Sequence, residues 1–291
     1  MSTLNSWWMA SRPKTLPASV SPVLLGSALA WQSGRFQWPV LWLALICALA
    51  LQVTVNLAND FFDARNGVDG NNRIGPLRAT QSGLISARAM KFGLSVASAI
   101  AIISGLALVF LSHWILFVCG ILSMLAVFAY SAGPYPLASH ALGEVTVLIF
   151  FGWLAVGGTY FAHAGDLSLT VFFYGTVAGL LSAAIMLVNN LRDIPTDSSA
   201  GKMTLAVVLG DMASRQLYIC LLVAALLMHL LITLPFSWSA SLVPVLVLTP
   251  CVYRLSVNVM RCRGAVLNHL LSSTAKLLMG YCVLSSLMLL F

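Results

Sequence analysis

The residues best suited to chemistry in this chain form an acidic motif between Asn56 and Asp69. Its sequence is Asn-Leu-Ala-Asn-Asp-Phe-Phe-Asp-Ala-Arg-Asn-Gly-Val-Asp, and it follows a long apolar run. On a helix, Asn56, Asp60 and Asp63 are spaced i, i+4 and i+7, so they share one face. Carboxylates at the end of a membrane-embedded helix are costly and mark a functional site by default. The spacing therefore predicts that these side chains hold one ligand together.

A second motif of the same kind lies between Asn189 and Asp197, and it also contains Arg192 and Asp193. Pro195 is expected to end the helix near Asp193, because proline lacks the N–H that a helix interior needs and disfavours helical geometry in the residue before it. Asp197 is therefore predicted to lie on the following loop.

The two motifs together contain five of the eight acidic residues in the chain. Carboxylates gathered at one place repel one another unless cations join them, and Mg²⁺ prefers oxygen ligands and is often shared with a phosphate. We interpret the motifs as a Mg²⁺ site that binds a pyrophosphate, with nearby bases holding the remaining charge. The alternative is that the acids cap helices and pair with those bases at the membrane surface. The bases concerned are Arg65, Arg73, Arg78, Arg192 and Lys202.

Two further candidates lie outside the motifs. A loop that begins at Tyr130 reads Tyr-Ser-Ala-Gly-Pro-Tyr-Pro-Leu, with His140 and Glu144 close behind it. Its glycine and prolines favour a simple turn, and the functional alternative is an aromatic loop that lines a substrate pocket. Lys276 lies within the last apolar run. Its side chain is expected either to snorkel to the membrane surface or to contact an anionic substrate inside the bundle.

The composition requires that a membrane surround these motifs. Of the 291 residues, 60% are hydrophobic and 8% are charged, whereas soluble domains carry about 25% charged residues. Repeated apolar runs of about 20 residues indicate helices rather than a β-barrel. The net charge of +7 comes from basic residues in short loops, where they set orientation, so it does not indicate nucleic-acid binding. The six cysteines are scattered and predict no disulfide framework.

We predict nine membrane-spanning helices, which makes the chain an all-α polytopic membrane protein. Most basic residues fall in loops on the same side as the N-terminus, and such residues favour the cytoplasm. The N-terminus and the loops that carry both acidic motifs are therefore expected at the cytoplasmic face. The predicted spans are residues 16–32, 39–63, 86–111, 114–132, 142–162, 169–193, 213–234, 239–258 and 268–290.

A short internal repeat relates the two motifs. Asn56 and Asn189 each precede an aspartate by four residues, and a glycine follows further along. Both copies end even-numbered spans, so they face the same side. This predicts two similarly oriented four-helix halves plus a ninth helix around a central cavity, with the site between the halves. The predicted boundaries are 12–132 and 142–258 for the halves, 268–290 for the extra helix and 1–291 for the single domain.

The two motifs resemble the paired aspartate-rich motifs of the UbiA superfamily of intramembrane prenyltransferases. Within it, the chain is similar over nearly its whole length to the subfamily that uses 1,4-dihydroxy-2-naphthoate. The nine-helix layout of the superfamily, with both motifs cytoplasmic, agrees with the predicted spans. The stretches that carry the resemblance are Trp8-Met-Ala-Ser-Arg-Pro-Lys-Thr-Leu, Asn56-Leu-Ala-Asn-Asp-Phe-Phe-Asp, Gly75-Pro-Leu-Arg-Ala-Thr-Gln-Ser-Gly and Asn190-Leu-Arg-Asp-Ile-Pro-Thr-Asp-Ser-Ser-Ala-Gly-Lys-Met-Thr-Leu.

The resemblance implies a reaction and roles for the residues. A polyprenyl group would pass from polyprenyl pyrophosphate to 1,4-dihydroxy-2-naphthoate with loss of pyrophosphate and CO₂, giving demethylmenaquinol for menaquinone synthesis in the bacterial plasma membrane. Metal and bases would stabilise the departing pyrophosphate. With the candidates above, the assigned residues are Asp60, Asp63, Asp193 and Asp197 for Mg²⁺ binding and catalysis, and Asn56, Asn59, Arg78, Tyr130, Asn189, Lys202 and Lys276 for substrate binding.

Two alternatives remain open. A member of the same superfamily with another acceptor, such as 4-hydroxybenzoate or haem, would share the acidic motifs. A cation-coupled secondary transporter would place its acids near the bilayer midplane within an inverted repeat. This chain instead places them at one face, in repeats of the same orientation.

Overall fold

A computed structural model of the chain describes residues 3–65, 78–133, 135–235 and 237–290. The described residues are almost entirely helical, and the strand-like pairing among them is an isolated bridge between His140 and Met203. A π-helical stretch, Leu148–Gly157, joins α6 and α7 into one continuous helix. The helices are α1 Thr3–Ser11, α2 Leu16–Gln32, α3 Trp38–Arg65, α4 Ala87–Leu111, α5 Ile115–Ser131, α6 Gly143–Val147, α7 Gly158–Ala164, α8 Leu169–Ser199, α9 Leu205–Thr233, α10 Trp238–Arg261 and α11 Leu267–Leu290.

The all-α membrane fold predicted from the sequence is confirmed, and a helical segment lies at each of the nine predicted positions. Among the described helices, seven segments are long and apolar enough to cross a membrane. The remaining two, α2 and α5, have 17 residues each, somewhat fewer than the about 20 that a span usually needs. The number of nine crossings therefore stays a prediction, as do the two halves and their boundaries.

The last helix closes the bundle. α11 packs against α2 and α8 as well as α10, and the largest buried cluster joins these helices through residues such as Leu25, Leu187 and Leu278. A second buried cluster, which includes Phe61 and Met90, packs the end of α3 against α4. This second cluster supports the helix end that carries the first acidic motif. Many large apolar side chains remain exposed on the outside of the bundle, as expected of a surface that meets lipid.

Three glycines let the π-helical stretch approach α8 closely. A Cβ atom at Gly152 would lie 2.5 Å from the carbonyl oxygen of Gly175 and 2.6 Å from the Cα atom of Gly179. Small residues of this kind let membrane helices pack backbone to backbone. The contact holds the continuous helix 143–164 against α8, the helix that carries the second acidic motif.

The expectation that Pro195 ends α8 near Asp193 was wrong. The helix continues through Pro195 to Ser199, so Asp197 lies on α8 one turn beyond Asp193 and not on a loop. A proline removes one backbone hydrogen bond from a helix and crowds the preceding turn, but here only the last turn follows it. Local bonds hold that turn, since the Thr196 hydroxyl donates to the Asp193 carbonyl oxygen at 2.9 Å.

Candidate active site

A cavity of about 1120 Å³ runs through the bundle. Its charged end lies where α3 and α8 end, and Asp63, Asp193 and Asp197 line it there. The opposite end is apolar and includes Ala44 and Leu108, which belong to a buried apolar cluster. Asp63 and Ala44 both lie on α3, and at the usual helical rise the backbone between them spans about 28 Å. The cavity thus joins a charged end to an apolar channel nearly as long as a bilayer core is thick.

Asp63 lies at the centre of the charged end. Its carboxylate forms an ion pair with Arg78 and lies 3.8 Å from the ammonium nitrogen of Lys202. Asp63 and Arg78 are both 6% exposed, so solvent and salt screen their interaction weakly. All three are residues that the sequence predicted, and the structure brings them together from α3, the segment before α4 and the loop after α8.

A backbone turn directs Lys202 back towards the cavity. Gly201 adopts φ +72°, in the left-handed region that suits glycine. The Gly201 N–H donates to the Ser198 carbonyl oxygen at 3.2 Å, and the Lys202 N–H donates to that of Asp197 at 2.9 Å. This pair of bonds is the Schellman arrangement that ends many helices. It closes α8 and places Lys202 beside Asp63.

The second motif faces the same cavity through a buried arginine. Arg192 donates from Nε to Asp193 Oδ1 at 2.7 Å and from Nη2 to Asn189 Oδ1 at 2.9 Å. Its Nη1 donates to Asn268 Oδ1 on α11 at 2.7 Å. Arg192 thereby orients Asp193 and Asn189 at the cavity wall and ties α8 to α11. Asp197 lines the cavity one helical turn further along.

Asp60 is placed differently from the other predicted metal ligands. It is 2% exposed, and its carboxylate oxygens accept the backbone N–H groups of Ala79 at 2.8 Å and Thr80 at 2.9 Å. It is not among the residues that line the cavity. Because Arg78 directly precedes Ala79, Asp60 fixes the segment that carries Arg78. A part for Asp60 in metal binding stays a prediction from the motif.

Asn56 and Asn59 of the first motif are held by the N-terminal segment and by α5. The Asn56 amide nitrogen donates to the Ser11 carbonyl oxygen at 2.9 Å and to the Thr15 hydroxyl at 3.2 Å. The Ser131 hydroxyl donates to Asn59 Oδ1. Both asparagines line the cavity, so the N-terminal segment forms part of the support for its charged end.

Sequence reasoning missed several residues of this network. Gln52 lies one turn before Asn56, and its Nε2 donates to Asn56 Oδ1 at 3.4 Å. A polar side chain at that spacing inside an apolar run was a usable signal. Asn268 offered no comparable signal, because only the packing of α11 against α8 brings it to Arg192. The missed residues are Thr15, Gln52, Ser131 and Asn268.

Tyr130 lies in the cavity wall, where its hydroxyl donates to Met186 Sδ at 3.2 Å. The loop that follows turns at Gly133, which has φ +87°, and Pro136 also lines the cavity. The loop therefore both makes a turn and contributes to the wall. Tyr135 instead points outward, 60% exposed, and stacks on His140 with 3.5 Å between the ring centroids.

The structure does not bring Lys276 to the site. Lys276 is exposed, whereas Ala275, Leu277 and Leu278 beside it are buried. A helix that buries those positions turns the residue among them outward. The alternative in which Lys276 contacts an anionic substrate does not fit this placement, and snorkelling along the outer surface does.

The charged end suits a Mg²⁺ ion that binds together with a phosphate. Within the described ranges, no three His, Cys, Asp or Glu side chains are grouped closely enough to hold a metal ion by themselves. Mg²⁺ usually keeps several waters and takes one or two carboxylates plus substrate phosphates. Asp63, Asp193 and Asp197 offer carboxylates of that kind around one cavity. Two further predicted residues, Asp69 and Arg73, lie outside the described residues.

Comparison with known proteins gives one family and a consistent set of relatives. The model of the UbiA prenyltransferase family matches residues 19–278. The 1,4-dihydroxy-2-naphthoate octaprenyltransferase of Escherichia coli is 41% identical over 232 residues, which cover 78% of this chain and 75% of that protein. The protein of the same name from Mycobacterium tuberculosis is 36% identical over 239 residues, which cover 82% of this chain and 81% of that protein.

The fold is also found among solved structures. A UbiA homolog from Archaeoglobus fulgidus, bound to DMAPP and Mg²⁺, superposes with a TM-score of 0.67 over 97% of this chain and 99% of that chain. The two sequences are 14% identical, so this likeness shows a common helical architecture.

Proposed function

The chain belongs to the UbiA prenyltransferase family, and we propose that it transfers a polyprenyl group from polyprenyl pyrophosphate to 1,4-dihydroxy-2-naphthoate. Pyrophosphate and CO₂ are released, and the product is demethylmenaquinol, which serves menaquinone synthesis. The choice of acceptor is supported by relatives named for 1,4-dihydroxy-2-naphthoate, which match most of the chain at 36–41% identity.

The observation that carries the proposal is the lining of the long cavity described above. Its charged end offers both carboxylates and cations, as a metal-bound pyrophosphate requires. Its apolar part reaches Ala44 and Leu108, which suits a long isoprenoid tail. A structural relative was solved with DMAPP, an allylic pyrophosphate, and Mg²⁺ bound, and this supports the assignment of the charged end.

Arg78 and Lys202 hold the pyrophosphate while its bond to the prenyl carbon breaks. The electron pair of that bond leaves with the pyrophosphate, and preorganised cations stabilise the negative charge that develops. Both cations contact Asp63, so substrate binding exchanges one anionic partner for another. Asp63, Asp193 and Asp197 would hold Mg²⁺, which when bound adds positive charge at the leaving group.

The rest of the cavity serves the acceptor and protects the reacting carbon. An electron-rich ring carbon of the acceptor bonds to the prenyl carbon, and loss of CO₂ restores the aromatic ring. The apolar walls exclude bulk water, which would otherwise capture the allylic cation. Arg192 keeps Asp193 and Asn189 in place throughout, because each of its nitrogens donates to a protein oxygen.

We place the protein in the plasma membrane with several crossings and the charged end at the cytoplasmic face. The apolar helices support membrane insertion, and the distribution of basic residues supports the orientation.

A prenyl-transfer assay tests the proposal. Purified protein in lipid vesicles would receive a long-chain polyprenyl pyrophosphate and Mg²⁺, with either 1,4-dihydroxy-2-naphthoate or 4-hydroxybenzoate. A prenylated naphthoquinol that disappears with EDTA and returns with added Mg²⁺ is the expected result. A product from 4-hydroxybenzoate alone would keep the reaction class and overturn the acceptor. No product from either acceptor would contradict the proposal, and ion-flux measurements on the same vesicles would then test the transporter alternative.

A further inference from the structure

Glu144 is a buried carboxylate beside the cavity that the reaction described above does not use. It lies in the first turn of α6 and is 4% exposed. One oxygen, Oε1, accepts a hydrogen bond from Asn190 Nδ2 at 2.8 Å. The other oxygen, Oε2, is buried with no hydrogen-bond partner among the described residues. A buried carboxylate with an unpartnered oxygen is costly, so its presence requires an explanation.

A purely structural explanation accounts for only part of this arrangement. An acidic residue in the first turn of a helix is favoured by the helix dipole, and the bond to Asn190 joins α6 to α8. Neither reason requires that the partner of Glu144 be a residue of the cavity wall. Yet Asn190 lines the cavity, three residues before Asp193 on the same helix.

Asn190 and Tyr130 form one part of that wall. A Cβ atom at Gly143 would lie 3.3 Å from the Tyr130 hydroxyl oxygen and 3.9 Å from Asn190 Nδ2, so both polar groups adjoin the start of α6. Tyr130 also lines the cavity. The wall therefore presents an amide and a phenol, both close to the start of the helix that carries Glu144.

The position of this wall suits an aromatic acceptor. Three residues of helix separate Asn190 from Asp193, which is about 4.5 Å along the axis of α8. The ring that attacks the prenyl carbon has to lie next to the pyrophosphate site, because that carbon is bonded directly to a phosphate oxygen. A polar pair one helical turn deeper than Asp193 is within reach of a hydroxyl group on such a ring.

We propose that Glu144 is a positioning residue for the aromatic acceptor. A carboxylate only accepts hydrogen bonds, so it forces the amide of Asn190 to turn its NH₂ group towards Glu144. The carbonyl oxygen of Asn190 then faces the cavity, where together with Tyr130 it receives a ring hydroxyl of the acceptor. Asn190 and Tyr130 touch the acceptor, and Glu144 acts through Asn190. This inference rests on the proposed function, since it assigns the acceptor a place in the same cavity.

The test measures the KM values of the two substrates separately. For each variant in lipid vesicles, the KM for 1,4-dihydroxy-2-naphthoate is measured at saturating polyprenyl pyrophosphate, and the KM for the pyrophosphate at saturating naphthoate. Glu144→Leu is expected to raise the acceptor KM about tenfold, the effect of one hydrogen bond, while the donor KM stays within about twofold. Glu144→Gln retains an oxygen that accepts from Asn190, so its acceptor KM should fall between those of the wild type and Glu144→Leu.

A second variant and a control keep the test decisive. Asn190→Ala should raise the acceptor KM as Glu144→Leu does. The double variant Glu144→Leu/Asn190→Ala should have no higher acceptor KM than Asn190→Ala alone, because both substitutions act through one contact. Tyr218→Phe is the control, since it removes a buried hydrogen bond of 2.7 Å to Thr274 away from the cavity. Tyr218→Phe should lower thermal stability, and it should not raise the acceptor KM relative to the donor KM.

Other results would overturn the inference. If Glu144→Leu changes the donor and acceptor KM values alike, or changes only stability, then Glu144 serves the fold alone. If Glu144→Leu cannot be recovered in folded form, Asn190→Ala decides, and an unchanged acceptor KM in that variant rejects the inference. A wild-type protein that forms no naphthoate product would reject the proposed function itself, whereas an active wild type with unaffected variants would reject only the role of Glu144.

Discussion

Asp63 holds together the two cations at the charged end of the cavity. Arg78 and Lys202 both contact its carboxylate, and without it they would repel each other in a poorly screened site. Removing one partner of a buried ion pair leaves an uncompensated charge, which costs more than the pair itself contributes. The three residues therefore act as a unit, and the effects of substituting them are not expected to add.

Two lysines allow a matched test of the pyrophosphate site. Lys202→Met is expected to lower kcat/KM for polyprenyl pyrophosphate by roughly 10- to 100-fold, because a hydrogen bond to a charged group contributes about 1.5–3 kcal/mol. Lys276→Met makes the same chemical change on the exposed face of α11 and should leave the kinetics unchanged. Steady-state rates of both variants in vesicles provide the comparison. Equal rates for Lys202→Met and the wild type would remove Lys202 from the pyrophosphate site.

Asp60→Ala is expected to reduce both stability and activity. The backbone N–H groups of buried Ala79 and partly buried Thr80 would lose their acceptor, and such a loss costs about 1–3 kcal/mol for a buried group. Activity should fall with stability because Arg78, the preceding residue, would no longer be held beside Asp63. Melting temperatures in detergent and transfer rates in vesicles measure the two effects. Asp166→Ala, at an exposed ion pair with Arg35, should affect neither, and a normal melting temperature for Asp60→Ala would contradict the role of the carboxylate in the fold.

At the scale of helices, apolar runs predicted where each helix lies better than where it ends. The predicted span 16–32 coincides with α2, whereas α8 extends past its predicted end at 193 to Ser199. The apolar pattern of a sequence indicates which residues avoid water. Helix ends depend instead on local hydrogen bonds, such as those that close the turn after Pro195. The break in α9 at Gly210, with φ 77° and ψ 172°, lies close to the predicted start of that span at 213.

The sequence predicted those site residues that lie on the same helix and share one face of it. Asn56 and Asp63 share a helix face, so their spacing alone placed both at the cavity. Asn268 and Ser131 come from other helices, and their positions depend on packing that no local pattern records. Asp60 lies on the same side of α3, but its carboxylate accepts the backbone N–H groups of Ala79 and Thr80 in the segment before α4. That contact depends on how this segment packs against α3, which helical spacing does not report.

Gly201→Ala tests how the end of α8 positions Lys202. Alanine at φ +72° is strained by about 1–2 kcal/mol, and relief of that strain would shift the Schellman turn and the lysine that follows it. We expect a lower melting temperature together with a higher KM for polyprenyl pyrophosphate and an unchanged KM for the acceptor. Gly280→Ala is the control, because its added methyl meets only an ordinary contact of 3.6 Å with Leu248. A normal donor KM in Gly201→Ala would show that Lys202 does not depend on this turn.

At the scale of the whole molecule, the site exists because α3 and α8 end on the same side of the bundle. The acidic motifs at those two ends then line one cavity, with α11 packed against both α2 and α8. Composition and span counting predict helices in a membrane, but they do not say which helices adjoin. The internal repeat predicted one site between two halves, and the superfamily that the motifs resemble implied that both motifs lie on one side of the membrane. Neither predicted which helices pack together. Solved relatives share the helical architecture of this chain.

The orientation of the bundle can be tested from both of its ends. Basic residues cluster around the charged end of the cavity, which predicts that this end faces the cytoplasm. Ser198 is exposed in the last turn of α8, near that end, and Ser33 is exposed just after α2, at the opposite end. A membrane-impermeant maleimide added to intact spheroplasts should label Ser33→Cys, and should label Ser198→Cys only after the membrane is opened. The unsubstituted chain is labelled in parallel to control for the protein's own cysteines. Of these, the exposed Cys220 and Cys251 lie within the apolar helices α9 and α10. The reverse pattern would put the pyrophosphate site outside the cytoplasm and would contradict the proposed topology, while leaving the internal geometry of the cavity unchanged.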